Sequence, residues 1–191
     1  MLAKIKFSIT NIISLPTLWI GGRFTFFWHV ISATPWSMIS SGKPWNVPKF
    51  LQHKEPTGLV LQNGERPDGA TLIPWSRGKA LAWDVTIPDT YAKSHIQSTS
   101  VNSRSSAKNA ARLKTLKYQD LNATHIFYPI AIETAGSWDD QAVELIEEIG
   151  RRSAQETDDP KETMFLFQMN FVAIQRGNAL AFTNTFDTDN I

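Results

Sequence analysis

The sequence predicts an α/β domain with a mixed sheet, in the order three-strand meander, helix, strand, two C-terminal helices. Three observations predict this order. Short apolar runs rich in β-branched and aromatic residues alternate with Gly- and Pro-containing turns between residues 57 and 87. The stretch from Ser103 to Leu121 holds neither Gly nor Pro and is rich in Ala, Lys, Leu and Arg. Another apolar run and two amphipathic stretches follow it.

The length and composition of the chain are typical of a single domain. The 191 residues are 42% hydrophobic, which is enough for a single core. With 19 Lys and Arg against 18 Asp and Glu, the net charge is +1, so a nucleic-acid surface requires local clustering of basic residues. The chain has no cysteine, which excludes disulfides, thiolate zinc sites and cysteine nucleophiles.

Residues 1–45 differ from the rest and form an N-terminal extension whose structure the sequence does not determine. The segment is apolar and aromatic, but Pro16 and Gly21-Gly22 interrupt it, and no run reaches the roughly 20 apolar residues that span a bilayer. A signal or anchor and an ordered cover for the core both stay open. We place the boundary at residues 41–44, followed by one domain over residues 46–186 and a tail over residues 187–191. We expect no membrane partner, and the oligomeric state is not predicted.

The meander is predicted from its turns. Thr57 to Leu61 is the expected first strand, and Asn63-Gly64 is a strong hairpin signal after it. Residues 70–73 and 81–87 are the second and third strands, and the short connection between them contains Gly78. We therefore expect the second and third strands to pair as antiparallel neighbours.

Two carboxylates lie at the ends of, or inside, these strands. Asp68 precedes the second strand, and Asp84 stands between Trp83 and Val85 in the third. A carboxylate inside an apolar strand is costly unless charge or hydrogen bonds compensate it, and a divalent cation would do so. The alternative is structural: Asp68 turns the chain in Pro-Asp-Gly, and Asp84 caps or pairs with a nearby Lys or Arg. Glu55 is either a third acid or a solvated charge.

The predicted helix carries two features. Its inward face has small residues at three- and four-residue steps, with Lys114 near the middle and pointing at the sheet. A different stripe holds Arg104, Lys108 and Arg112, with Lys117 on its flank, and is able to contact several phosphates. The alternative is a solvated face with Lys114 extended to the edge.

The remaining chain completes the sheet and covers it. Residues 125–134 form an apolar strand that follows a helical crossover, which favours parallel pairing. Glu133, at its end, is either a further metal or base residue or a partner of an arginine. Residues 139–154 and 159–182 are the two predicted C-terminal helices, each with an acidic N-terminus.

Several short motifs together resemble a known family. They are Glu55-Pro56-x-Gly58-Leu59, Arg66-Pro67-Asp68-Gly69, Pro74-Trp75-x-x-Gly78-Lys79, Trp83-Asp84-Val85-Thr86, Asp89-Thr90, Lys114-x-x-Lys117-Tyr118, Pro129-Ile130-Ala131-x-Glu133-Thr134, Gly150-Arg151-Arg152 and Gln175-Arg176-Gly177-Asn178-Ala179. Over about residues 44–186, the chain resembles the C-terminal region of reverse-transcriptase-related proteins. That region is similar to the restriction-endonuclease-like, PD-(D/E)xK-type nuclease of site-specific non-LTR retrotransposons.

The resemblance implies a restriction-endonuclease-like fold and Mg²⁺-dependent (or Mn²⁺-dependent) nicking of DNA for reverse transcription, in the nucleus. Asp68 and Asp84 would hold the metal. The superfamily's third-strand lysine is expected where Thr86 stands. The non-LTR enzymes are thought to supply the lysine from the following helix, which selects Lys114, with Lys117 as substitute.

Three functions stay open. The first is an active endonuclease, and the second is a catalytically dead nucleic-acid-binding remnant. The third is a protein-interaction module that binds neither DNA nor metal. Because the reverse transcriptase and zinc-knuckle portions have no counterpart in the sequence, we expect a fragment or decayed copy of a mobile element, with its fold better preserved than its activity.

Overall fold

A computed structural model describes residues 53–54, 58–60 and 64–184. The expectations for residues 1–45, for Glu55 and for residues 187–191 lie outside the described residues. The described elements, in chain order, are β1 (His53–Lys54), β2 (Gly69–Ser76), β3 (Lys79–Thr86), α1 (Ile96–Thr99), α2 (Ser105–Lys117), a 3₁₀ turn (Gln119–Ala123), β4 (His125–Ala131), α3 (Asp140–Thr157) and α4 (Glu162–Asn184). The architecture is mixed α/β, with a sheet in the order β1-β2-β3-β4.

The β2–β3 hairpin turns in two residues. Ser76 pairs with Lys79, and Arg77 and Gly78 between them have φ angles of 50° and 76°. Two positive φ angles are typical of the type I′ turn, whose twist matches that of paired strands, and glycine adopts this conformation without strain. The two strands pair as antiparallel neighbours, as predicted.

The predicted first strand of the meander is wrong for the residues that the structure describes. Gly58 lies in a turn, and Leu59 and Val60 have no regular secondary structure. His53–Lys54 pairs instead with Thr71 and Ala70. Glycine weakens a strand, and Leu59 packs its side chain against the apolar cluster around Tyr118. The segment therefore contributes a side chain to the core without joining the sheet.

β3 and β4 run parallel, as the helical crossover predicted. Their register extends from Ala80 opposite His125 to Thr86 opposite Ala131. The connection contains α1, α2 and the 3₁₀ turn. α2 begins and ends inside the predicted span of residues 103–121, because Tyr118 leaves the helical conformation and the 3₁₀ turn takes over.

The two sheet faces pack against different helices. On one face, apolar residues of the sheet and of the residue 132–138 connection pack against α3 and α4. They are Trp75, Leu81, Trp83, Val85, Ile130, Ile132 and Trp138. The opposite face is lined by small residues, with Ala131 against Ala107 and Ala111 of α2. Because side chains alternate along β3, Ala82 and Asp84 point toward α2 while Trp83 and Val85 point away.

Both C-terminal helices are present, with shifted bounds. Asp139 caps α3 by accepting from the backbone N–H of Gln141 at 3.0 Å. α3 continues past the predicted end at residue 154 to Thr157, and α4 runs to Asn184. None of the helices in the described part of the chain has the length and hydropathy needed to cross a membrane.

Candidate functional site

Asp68, Asp84 and Lys114 come together on the sheet face that α2 covers. Asp84 is buried on β3, and its Oδ2 accepts a hydrogen bond from the Nζ of Lys114. Asp68 lies beside them, because its Oδ2 accepts from the N–H of Val85, the neighbour of Asp84, at 2.8 Å. Three stretches that are distant in sequence thus bring two carboxylates and one ammonium together, and these three side chains, Asp68, Asp84 and Lys114, are called the cluster below.

Asp68 continues the antiparallel ladder with its side chain. The last regular pair between β2 and β3 near this end is Gly69 with Trp83, and the N–H of Val85 lies just beyond it. The Asp68 carboxylate accepts this hydrogen bond instead of a backbone carbonyl. Gly69 keeps the chain close, since a Cβ there would lie 2.2 Å from the Trp83 ring. Backbone pairing therefore fixes the side chain beside Asp84.

The end of α2 holds the segment that carries Asp68. The Tyr118 hydroxyl donates to the carbonyl of Arg66 at 2.9 Å, and Tyr118 is buried. The Nζ of Lys117 lies 2.9 Å from Oε2 of Glu65 and 4.9 Å from the centre of the Tyr118 ring. Lys117, the substitute catalytic candidate, is therefore engaged by Glu65 and has no described contact with either aspartate. Of the two lysines, the described contacts link only Lys114 to the pair.

Small residues let α2 approach the sheet closely enough for Lys114 to reach Asp84. Ala107 and Ala111 are fully buried against Ala131, and Lys114 follows them on the same helical face. The Lys114 side chain is 26% exposed, whereas that of Asp84 is 5% exposed. One end of the cluster thus opens to solvent at the lysine.

The pKa of Asp68 is raised to about 7. Burial is the largest cause, and the neighbouring negative charge of Asp84 is the next. The hydrogen bond from the N–H of Val85 and the charge of Lys114 act in the opposite direction, without compensating. One ammonium therefore balances only one of the two carboxylates, and the second is held in a site that favours its protonated form.

The ion pair of Asp84 with Lys114 agrees with both readings of the sequence, since a structural aspartate was also expected to pair with a lysine. The second carboxylate separates the two readings. A structural ion pair does not need another acid beside it, whereas a site for a hard cation needs several oxygen donors. Across the described ranges, no three His, Asp or Glu side chains group together as a metal site, so the described part of this site offers two carboxylates, Asp68 and Asp84.

Glu133 does not lie beside Asp68 and Asp84. Its Oε1 accepts from the backbone N–H groups of Ser106 at 3.0 Å and Ala107 at 3.2 Å, the first turn of α2. It neither joins the two aspartates as a third metal ligand nor pairs with an arginine in any described contact. The residue at the N-cap of α2 is Arg104, and its side chain forms no cap hydrogen bond.

The predicted phosphate-binding stripe is partly paired within the protein. Arg104 and Lys108 contact the Asp140 carboxylate at 2.7 and 3.2 Å, and Arg112 donates to the side-chain oxygen of Asn109 at 3.0 Å. Hydrogen bonding and charge from Lys108, then from Arg104, lower the pKa of Asp140. All three basic side chains nevertheless lie on an exposed face.

Sequence reasoning missed the roles of Tyr118 and Glu133. Tyr118 follows Lys114 by four residues on the inward helical face, and its hydroxyl contact with Arg66 leaves no periodic signal in the sequence. The one available signal for Glu133 was that an isolated acid follows an apolar strand, and this position does not show which donors the acid meets.

None of the protein-family models, curated proteins or solved structures that were compared matches this sequence. The geometry of the cluster and the motif resemblance are therefore the two grounds for a functional proposal.

Proposed function

We propose that this chain is a retrotransposon-derived, Mg²⁺-dependent DNA endonuclease domain with a restriction-endonuclease-like fold, which nicks target DNA for reverse transcription. The observation that carries the proposal is the convergence of Asp68, Asp84 and Lys114 from three separate elements. A nuclear location follows from the same resemblance and is part of the proposal.

The arrangement of elements supports the fold assignment. An antiparallel hairpin places one acid before β2 and the other within β3, and a helical crossover then leads to a parallel β4. The crossover helix is also the element that supplies the lysine. Thr86, which stands where the third-strand lysine was expected, lies on the same strand face as Asp84.

The donor set fits a hard divalent cation. Asp68 and Asp84 would hold Mg²⁺ or Mn²⁺ through carboxylate oxygens, the ligands these ions prefer, and Mg²⁺ typically keeps several waters. Positive charge there would also offset the burial and the repulsion from Asp84 that together raise the pKa of Asp68. The chemistry such an ion supplies when bound is activation of water and neutralisation of charge at the scissile phosphate.

Each protein group has a role that follows from its position. Asp84 is fixed by β3 in the buried part of the cluster, and Asp68 is fixed by the N–H of Val85. Lys114 reaches the cluster from its solvent side, so its ammonium can meet a phosphate oxygen that approaches from outside. Charge developing on that oxygen would be stabilised by the ammonium in a partly water-excluded site.

The test is nicking of supercoiled plasmid in Mg²⁺ or Mn²⁺ by purified protein and by the variants Asp84→Asn, Asp68→Asn and Lys114→Met. Each substitution should lower the nicking rate by on the order of 100-fold or more, because each removes a group that stabilises charge in the transition state. Titration with Mn²⁺, followed by electron paramagnetic resonance, should show weaker binding in the two aspartate variants.

Asp139→Asn is the matched control for Asp84→Asn. Asp139 is equally buried, at 5% against 4% exposed, but caps α3, and asparagine caps a helix as well as aspartate does. This variant should nick at the wild-type rate. Comparing Lys117→Met with Lys114→Met decides between the two lysines. Wild-type nicking by a folded Asp84→Asn variant would exclude the site.

A catalytically silent DNA-binding remnant is the second candidate. The observation that favours it is the direct contact of Lys114 with Asp84, which satisfies the buried carboxylate without any metal. It predicts affinity for DNA that falls with salt, no Mn²⁺ binding at the aspartates, and no nicking by the wild-type protein.

A further inference from the structure

Glu133 is a buried acid at the N-terminus of α2. It is 1% exposed, its Oε1 accepts from the N–H groups of Ser106 and Ala107, and the Thr90 hydroxyl donates to its Oε2 at 3.5 Å. The first N–H groups of a helix have no partner within the helix, and the helix dipole favours a negative charge beside them. Glu133 therefore satisfies donors that would otherwise be buried without an acceptor.

α2 depends on this contact because it has no side-chain cap of its own. Arg104, at the N-cap position, adopts the left-handed conformation with φ 67° and forms no capping hydrogen bond. The cap comes instead from the chain just after β4, two residues beyond Ala131. Ala131 itself packs against Ala107 and Ala111. The end of β4 thus fixes both how close α2 lies to the sheet and where it begins along its axis.

Lys114 lies on the same helical face, seven residues after Ala107. At 1.5 Å per residue this is about 10 Å along the helix axis. The lysine reaches Asp84 with its ammonium, so a small axial shift or fraying of the first turns would move the ammonium relative to the carboxylate. The helix segment between Ala107 and Lys114 therefore links the contact with Glu133 at one end to the contact with Asp84 at the other.

We propose that Glu133 is a positioning residue that sets the register of α2, so that Lys114 meets Asp84. The catalytic consequence rests on the proposed endonuclease function, whereas the positioning itself does not. No contact of Glu133 with the two aspartates is required.

The first test measures the position of Lys114 without relying on activity. The folded protein is acetylated briefly with acetic anhydride, and mass spectrometry compares the labelling of Lys114 with that of Lys108 and Lys161. Glu133→Ala should raise labelling of Lys114 several-fold relative to the other two lysines, because the ammonium leaves its partner. Glu133→Gln keeps the acceptor oxygen and should restore labelling to near the wild-type value.

Glu162→Ala is the matched control. Glu162 is also a buried acid, 5% exposed, at the start of a helix, but it accepts from the Thr157 hydroxyl and supports α4. Its loss should leave the ratio of Lys114 to Lys108 labelling at the wild-type value. Where Glu133→Ala does not fold, Glu133→Asp replaces it, since the shorter side chain cannot hold both N–H groups in the same geometry.

Unchanged Lys114 labelling in a folded Glu133→Ala or Glu133→Asp variant would overturn the inference. An equal rise at all three lysines would also overturn it, because that result indicates general loosening. With an active wild type, Glu133→Ala should lower kcat several-fold at unchanged KM for plasmid, with rescue by Glu133→Gln. If Glu133→Ala selectively raises the labelling of Lys114 but the wild-type protein does not nick DNA, the endonuclease function is rejected and the positioning role of Glu133 stays supported.

Discussion

At the scale of the residue, Asp68 is held where its charge is unfavourable. Its pKa is raised to about 7 from an ordinary value of 3.8, chiefly by burial and then by the charge of Asp84. Between these two values the native state binds more protons than the unfolded state, so the free energy of unfolding falls as the pH rises from about 4 to about 7. The ionised Asp68 therefore lowers the free energy of unfolding above about pH 4, and a bound cation would offset this loss.

We predict that Asp68→Asn stabilises the metal-free protein at pH 8. The amide mimics the protonated acid and removes the like charge, while its oxygen still accepts from the N–H of Val85. The gain is at most about 4 kcal/mol at pH 8, since one pKa unit corresponds to about 1.4 kcal/mol, and it should vanish near pH 4. Urea unfolding at the two pH values measures it.

Glu148 provides a control of opposite sign. Hydrogen bonds and charge from Arg151 and Arg152 lower the pKa of Glu148 to about 2. Its stabilising contribution is present above the unfolded value of about 4.5 and is lost as the pH falls toward 2. Glu148→Gln should therefore destabilise the protein at pH 8. If Asp68→Asn instead lost stability at pH 8, the two carboxyl groups would not repel each other as described.

At the scale of the element, close packing of α3 against α4 depends on Gly150. A Cβ at this position would lie 2.2 Å from the Thr163 hydroxyl oxygen and 2.6 Å from the Thr163 backbone. We predict that Gly150→Ala destabilises the protein by about 1 to 3 kcal/mol, because forcing the helices apart exceeds the roughly 1 kcal/mol gain in helix propensity. The midpoint of urea unfolding measures the loss.

Gly177→Ala is the matched control for this prediction. Gly177 lies within α4, and a Cβ there would meet nothing within 4 Å. The substitution should stabilise the protein by about 1 kcal/mol through helix propensity alone. Equal effects of the two substitutions would show that helix packing at Gly150 is looser than the structure indicates.

The elements differ in how well the sequence predicts them. The β2–β3 hairpin and α2 were predictable because their signals are local in the sequence. Gly78 favours a tight turn, and the Ala-rich stretch favours a helix. The first strand was not, because Leu59 and Val60 look like strand residues while pairing depends on which chain segment reaches the edge of β2. The N-terminal end of α3 agrees with the prediction, but the helix extends three residues beyond its predicted end to Thr157, because no Gly or Pro stops it between residue 154 and Thr157.

The cluster was predictable in outline because each member has a local reason. Asp84 interrupts an apolar strand, Asp68 precedes a strand, and Lys114 interrupts a small-residue face. Glu133 was misplaced, since strand-end position alone does not reveal which donors lie opposite. Its partners, the first N–H groups of α2, are 26 and 27 residues away in the chain.

At the scale of the whole molecule, the net charge of +1 means that the proposed contact with DNA depends on local clusters of basic residues. The exposed basic stripe begins at Arg104, the N-cap of α2, and continues along the helix with Lys108 and Arg112. Asp140 at the start of α3 neutralises part of it. The negative charge of Asp140 at the N-terminus of α3 also interacts favourably with the dipole of this helix. The same carboxylate therefore supports a helix and weakens the stripe as a phosphate-binding surface.

We predict that Asp140→Asn binds DNA more tightly than the wild type, because it releases Arg104 and Lys108 from their ion pairs for contact with phosphate. Fluorescence anisotropy of a labelled duplex across a salt series should show a steeper dependence on salt, by up to about one logarithmic unit for each released cation. Substituting Arg104, Lys108 and Arg112 together with Gln should flatten it. Because phosphate contacts carry no sequence information, both effects should be alike on unrelated duplexes. Unchanged affinity in both variants would place any DNA contact on another face of the molecule.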